Sequence, residues 1–401
     1  MLKPPLSPLV ILGLGLLSLV VAAVTSLSSF SSANTVGTKP ELVVHEWGTF
    51  TSVAGQDGRG LIWRPLTVES DLPSFVHSVD KGDTWRGLRY PSKSGLAVRV
   101  RMETPVLYFY AKEALTVAVK VGFPGGRITE WYPAAQVNRG DVDWGELRVM
   151  PGAQVYLAND FHENHYYPAR ATDAAAIQVD RNGKMEHEKF LFYRGVGNFD
   201  LPLSVKLAEG KVMVKNLSEE SVGKVVLFEN RDGRIGYQIV DLPSDQSSSG
   251  VTLSRPELRG DLRDLRRELK AMLISEGLYE KEAEAMLETW RDSWFEEGLR
   301  IFYIMPRQTT DTVLPINIDP QPAALVRVLV GRTEMITPEM EKSVAAQLKN
   351  LSNPSVSVRE TAQKEINRYG RFSESVLTQV LDHTSDPRIK LELERLLNER
   401  N

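Results

Sequence analysis

Apolar and polar positions change rhythm twice along this chain. From residue 40 to about 250 they follow the two-residue period of half-buried strands. Leu96, Val98, Val100 and Met102 alternate with Ala97, Arg99 and Arg101, predicting a strand over 96–102. Val43–Val53, Val106–Tyr110 and Leu115–Phe123 read as further strands, the last ending at the Pro124-Gly125-Gly126 turn. Three hairpins follow. Ala174–Asp180 and Lys184–Arg194 flank Arg181-Asn182-Gly183, Leu203–Leu207 and Lys211–Lys215 flank Glu209-Gly210, and Val225–Asn230 and Arg234–Val240 flank Asp232-Gly233. Asn-Gly and Asp-Gly suit tight hairpins because both central residues tolerate positive φ. Many short strands with regular turns predict an antiparallel sandwich or barrel.

The rhythm becomes helical after Ser247-Ser248-Ser249-Gly250, which reads as a linker or loop. Ser254 and Glu257 have capping-box spacing, and Leu258, Leu262, Leu265, Leu269 and Met272 recur at helical intervals up to Gly277. A second helix is expected over Glu280–Glu297, with Trp290 and Trp294 on its buried face. Apolar runs split by prolines then return at Ile301–Met305, Val313–Ile318 and Leu325–Val330. The expected architecture is therefore α+β and mainly antiparallel. It has a β-rich domain over 40–337, a helical hairpin inserted at about 254–298, and a helical module over 338–401. A separate helical domain is the competing arrangement for the insertion.

The module is expected to form four amphipathic helices, Met340–Leu351, Val356–Tyr369, Ser373–Thr384 and Pro387–Asn398. Within it, Asn353-Pro354-Ser355-Val356-Ser357-Val358-Arg359-Glu360-Thr361-Ala362 resembles the start of a HEAT-like repeat. Ser385-Asp386-Pro387-Arg388-Ile389 resembles the next start, about 33 residues on. That resemblance implies a short helical solenoid of a kind that binds other proteins. The body resembles a group of uncharacterised exported bacterial proteins. The likeness lies in His45-Glu46-Trp47-Gly48-Thr49-Phe50-Thr51-Ser52, Glu130-Trp131-Tyr132-Pro133, Phe192-Tyr193-Arg194-Gly195-Val196-Gly197 and Ser293-Trp294-Phe295-Glu296-Glu297-Gly298. It implies export and one continuous body, without adding chemistry.

The N-terminus points the same way. Lys3, an apolar run over Leu9–Val24 and a Ser/Thr-rich stretch over 25–35 have the order of an export signal over residues 1–33. Cleavage after Ala33 would release a periplasmic or otherwise extracytoplasmic protein. Retention of Leu9–Phe30, within the roughly 17–25 residues that span a bilayer, would tether it. The membrane is then touched only by this segment. The chain has no cysteine, which removes disulfides, lipid-modified cysteine anchors and thiolate metal sites. With 48 Lys+Arg against 52 Asp+Glu it lacks the basic surplus of a nucleic-acid binder. No P-loop, dinucleotide fingerprint or G-x-S-x-G elbow is present.

Three sets of residues could carry chemistry. The first is Asp160-Phe161-His162-Glu163-Asn164-His165, with His45 and His187 in support, offering imidazole and carboxylate ligands to zinc, iron or copper. Glu46 or Glu163 would then serve as general base of a hydrolase. The spacing lacks the i, i+4 interval of a metalloprotease helix. If Lys184–Arg194 is one strand, His187 faces residue 178 and Arg194 faces residue 171, so His165 must fold back to reach His187. The alternative is a polar loop that binds no metal. The second set places glutamates beside aromatics: Glu46-Trp47, Glu103 near Tyr108, and Glu130-Trp131-Tyr132. Such pairs suit glycan binding or glycoside hydrolysis if they line one groove. Trp47, Trp63, Trp85, Trp131 and Trp144 suit a β core equally well. The third set is Arg99, Arg101 and Arg194, which would grip an anion or pair with Glu103. A binding or scaffold protein of the cell envelope, with an envelope protein or glycan as partner, is the leading expectation, and a metal-dependent hydrolase the alternative.

Overall fold

A computed structural model describes residues 41–66, 71–80, 93–243 and 250–399. The expected export signal over 1–33, Trp85 and most of the serine linker lie outside the described residues. Among those described, no helix is long and apolar enough to cross a membrane. The protein is α+β and mainly antiparallel, with its last helices at the C-terminal end.

The strands run β1 (Val43–Ala54), β2 (His77–Ser78), β3 (Val100–Tyr110), β4 (Leu115–Gly122), β5 (Gly126–Tyr132), β6 (Gln136–Asn138) and β7 (Asp141–Met150). Next come β8 (Ala176–Arg181), β9 (Lys184–Glu188), β10 (Leu191–Gly197), β11 (Leu203–Ala208), β12 (Lys211–Asn216), β13 (Lys224–Arg231), β14 (Arg234–Asp241) and β15 (Val251–Ser254). Helices α1 (Leu262–Ser275) and α2 (Glu280–Thr289) precede β16 (Gly298–Ile304), α3 (Arg307–Val313), β17 (Ile316–Asp319) and β18 (Ala324–Met335). The chain ends in α4 (Pro338–Leu348), α5 (Val356–Asn367), α6 (Ser373–His383) and α7 (Pro387–Glu399).

A nine-stranded sheet has the order β14-β13-β16-β18-β1-β3-β10-β5-β2 and is open at both edges. A six-stranded sheet holds β17-β4-β7-β8-β9 with β6 beside β7, and a three-stranded sheet holds β11-β12-β15. One apolar core joins a face of the large sheet to the two smaller sheets. The opposite face packs on α1 and α2. Both faces are therefore dry, which explains continuous apolar runs such as Val225-Val226-Leu227-Phe228. Val225 and Leu227 enter the first core, Val226 and Phe228 the second. The module helices α4–α7 share a third cluster with Val53, Trp63 and Ile336.

The three expected hairpin turns are present. Asn182, Glu209 and Asp232 take positive φ, as do the glycines after them, which gives the doubly left-handed turn that matches strand twist. Several expectations need correction. Lys184–Arg194 is not one strand: β9 stays with β8, while β10 crosses to the large sheet. His187 does oppose Gln178, but Arg194 opposes Glu130 rather than residue 171. The 96–102 and 106–110 strands fuse into β3, whose start moves to Val100. A bulge near Thr104, at φ 49°, flips the facing: Val100 and Met102 enter the first core before it, Leu107 and Phe109 after it. Ser254 does not cap α1. It ends β15, and Asp261 is the cap, accepting from the Arg263 N–H. Pro256 disfavours helix in the residue before it.

Helix α2 stops at Thr289 instead of Glu297, because buried arginines take the carbonyls beyond it. Arg332 Nη1 donates to Ser293 O at 2.9 Å, and Arg300 donates to Trp294 O at 2.7 Å and Glu297 O at 2.8 Å. The 313–318 run is split between α3 and β17. The β1–β18 pairing is parallel, inside an otherwise antiparallel sheet.

Candidate functional site

A cleft of about 1110 Å³ lies at one end of β5 and β10. Its floor is Val98, Ile128, Trp131 and Val196, and its rim carries Arg127, Asn138, Arg139 and Asn198. Glycine builds one wall because the backbones there approach too closely for side chains. A Cβ on Gly197 would sit 2.8 Å from Gly125 O, and one on Gly140 2.9 Å from Phe123 O. Ile128 N–H donates to Arg139 O at 3.1 Å, so the two arginine-bearing segments are adjacent. Arg99 N–H donates to Asn198 Oδ1 at 2.9 Å, fixing that amide at the rim. A concave, partly apolar site with a few convergent polar groups is the usual form of a ligand pocket.

Trp131 is thus a cleft residue, and Arg99 flanks the cleft while pairing with Asp200 at 3.6 Å. Glu130 is not in the cleft. It faces the helical side with Arg194 and accepts from Lys93 Nζ at 2.5 Å. It belongs to a buried ionic band that crosses the large sheet. Arg194 Nη1 donates to Asp71 Oδ1 at 2.9 Å, and Asp71 Oδ2 lies 3.1 Å from His165 Nδ1. Glu103 accepts from Arg371 of the module at 2.7 Å and has Arg101 Nε at 3.9 Å. Arg332 donates to Glu296 at 2.7 Å and Glu334 at 3.0 Å, and Arg300 to Glu334 at 2.8 Å. Arg101, Glu103, Glu130, His165 and Arg194 therefore do converge. Asp71, Lys93, Arg371 and Asp292 were missed, since they arrive from loops and a helix with no local pattern to mark them.

Burial alone would raise the Glu103 carboxyl. Arg371, Arg101, Arg332 and Arg194 outweigh it and hold the group down at about 2. Burial likewise opposes the lowering of Glu186 to about 2, which comes from His77, Lys184 and the Ala134 N–H. Both folded values lie below the usual carboxylate value of 4.5. Their stabilisation is present above that value and is lost as pH falls toward 2. Urea unfolding at pH 7, 4.5 and 3 should show stability falling across the last interval. A Glu103→Gln variant should lose less over that interval, and an equal loss would refute the assignment.

The other candidates stand apart. His45 Nδ1 lies 2.8 Å from Glu282 Oε2, and His77 Nε2 3.2 Å from Glu186. His165 sits between Asp71 and Asp292. The Asp71 hydrogen bond raises its pKa, against burial. His162 and Glu163 are exposed, Glu163 pairing with Arg291. His187 is half-buried opposite Gln178. Among the described residues no three His, Asp or Glu side chains are grouped to hold a metal ion. Glu46 faces the first core, where Tyr193 donates to it at 2.5 Å and Arg327 at 2.6 Å. Glu103 and Glu130 face the helical side, so the three glutamates do not line one groove. Trp47 is fully buried in the second core.

No protein-family model matches the chain, and a comparison with curated proteins finds no match either.

Proposed function

We propose that this chain is an exported ligand-binding protein of the cell envelope. Its β body, read as an open two-layer sandwich, holds a small polar ligand of glycan type in the cleft at Trp131. The cleft carries this reading. Its volume is that of a ligand site, its floor is apolar with an indole, and its rim offers amides and guanidinium groups that suit hydroxyl-rich molecules. The export signal and the likeness to exported proteins support the location. The HEAT-like helices support a second role, docking an envelope partner. Their inner face is already spent on Val53, Trp63 and Ile336, which leaves the outer face for that task.

The test is a glycan array followed by titration of the full chain. Ala97→Trp and Ala135→Trp place an indole in the cleft from half-buried or exposed positions. A bound oligosaccharide should be lost in both variants while their thermal unfolding stays near that of the parent. Retention in both variants, or an array without a ligand, would refute the reading.

A further inference from the structure

We infer that the buried ionic band encloses a binding site for a monatomic anion, a halide such as chloride, seated on Thr51 between Arg101 and Arg332 and roofed by Arg371 of the module. None of these residues lines the cleft, so the site stands or falls independently of the glycan reading.

Unanswered donors carry the argument. Thr51 opposes Arg332 on β18 and Arg101 on β3, so the three side chains stand in one row on the helical side of the large sheet. Adjacent strands lie about 4.8 Å apart, which sets a short threonine between two long stems. Thr49 is the next residue on the same side, between Val330 and Glu103, and is equally short. The recess is therefore floored by two threonines and walled by two arginines. Its roof is closed by contacts. Arg332 Nη1 and Arg371 Nη2 each donate to Ser293 Oγ at 3.2 Å, and Arg371 Nη1 donates to Glu103 at 2.7 Å. Glu103 lies 3.9 Å from Arg101 Nε, too long for a hydrogen bond. The guanidinium groups of Arg332 and Arg371 both lie over the ring of Phe372. Thr49, Thr51 and Arg332 are at most 1% exposed. Yet Thr49 Oγ1, Thr51 Oγ1, Arg101 Nε and Arg332 Nε are enclosed without a hydrogen-bond partner among the described residues. The Nη groups of Arg332 are taken by Ser293, Glu296 and Glu334, which leaves its Nε–H. Enclosed donors without an acceptor are costly, and each calls for an explanation. Guanidinium nitrogens can only donate, and the threonine hydroxyls are free to turn and do the same. A monatomic anion accepts from every direction and brings no proton that itself needs a partner, as a water would. The electrostatics agree. Burial depresses the Arg101 pKa, and the charges of Arg194 and Arg371 add to that effect against Glu103. An anion beside Arg101 relieves this crowding. Glu103 also borders the recess, and its charge is matched by Arg371.

Bromide reports the site directly. Crystals of the full chain soaked in bromide should show an anomalous peak within about 4 Å of Thr51 Oγ1, Arg101 Nε and Arg332 Nε, a hydrogen-bond distance widened by the larger anion. In solution, exchanging gluconate for chloride at constant ionic strength should raise the midpoint of thermal unfolding by about 2 °C or more, since a ligand held only by the folded state stabilises it. Thr51→Val keeps the shape and removes one donor. It should unfold no earlier than the parent in gluconate, because the hydroxyl has no partner to lose, and it should lose most of the chloride response. A recess that holds ordered water or nothing after the bromide soak would overturn the inference. So would an equal chloride response in the parent and Thr51→Val. A bromide peak without any chloride response would mark an adventitious ion only and would overturn it too.

Discussion

Arg194→Met should destabilise the protein by about 3–5 kcal/mol, the largest single effect expected in the ionic band. Arg194 is 2% exposed. It donates to Asp71, has Thr104 Oγ1 within 3.4 Å, and stands opposite Glu130 across β5 and β10. Methionine keeps most of the volume but strips the main countercharge from Asp71. Burial alone would raise that carboxyl, and Arg194, followed by the His165 hydrogen bond, holds it well below the ordinary range. Without the guanidinium, buried Glu130 also loses its largest countercharge and must either remain charged in a dry site or take up a proton, while Asp71, 35% exposed, keeps part of its hydration. Arg99→Met is the matched control, since Arg99 is exposed and its pair with Asp200 spans 3.6 Å; it should cost less than about 1 kcal/mol. Urea unfolding of both variants measures the difference. A loss below 1 kcal/mol for Arg194→Met would show that the band tolerates an unpaired carboxylate.

That band also shows where a sequence is readable and where it is not. Arg101 and Glu103 share one strand face two residues apart, so their proximity follows from the strand period alone. The Asn182-Gly183 and Asp232-Gly233 turns were equally plain, because turn chemistry is local. Helices α4–α7 kept their expected places to within a few residues for the same reason. The failures all involve distant chain. Nothing near Lys184–Arg194 announces that the chain leaves one sheet for another at residues 189–190, yet that step carries Arg194 to Glu130 and Asp71. Glu46, Glu103 and Glu130 look equivalent beside their aromatics. The bulge at Thr104 and the pairing of β10 decide which face each occupies. Helical spacing extended α2 to Glu297, whereas Arg300 and Arg332, on strands that follow in the chain, claim the carbonyls beyond Thr289. The cleft was half legible. Trp131 was named for its aromatic ring, but Arg139, Asn138 and Asn198 lie in segments without periodicity and meet only through β5 and β10.

The second large effect is expected at Glu282, where helix α2 is fastened to the large sheet. Glu282→Ala should cost about 3–5 kcal/mol, and Glu282→Gln less. The carboxylate is fully buried and satisfies three donors from three elements. It accepts from the Tyr279 N–H at 2.8 Å, capping α2, and from Tyr110 OH at 2.7 Å, and it lies 2.8 Å from His45 Nδ1 on β1. Burial and the charge of Glu282 both push the Tyr110 phenol upward, so the phenol keeps its proton and remains a donor. Alanine leaves the helix cap, the phenol and the imidazole without an acceptor in a dry site. Glutamine retains one acceptor oxygen and must strand the donor opposite its own amide. The loss should be local first: amide exchange in α2 should accelerate beyond that in β1 and β3, because the helix has lost both its cap and its bond to the sheet while the strands keep their ladders. Chemical unfolding with hydrogen exchange on both variants reads the size and the place together. Uniform acceleration across strands and helix would show that Glu282 supports the whole fold and not the seat of this helix.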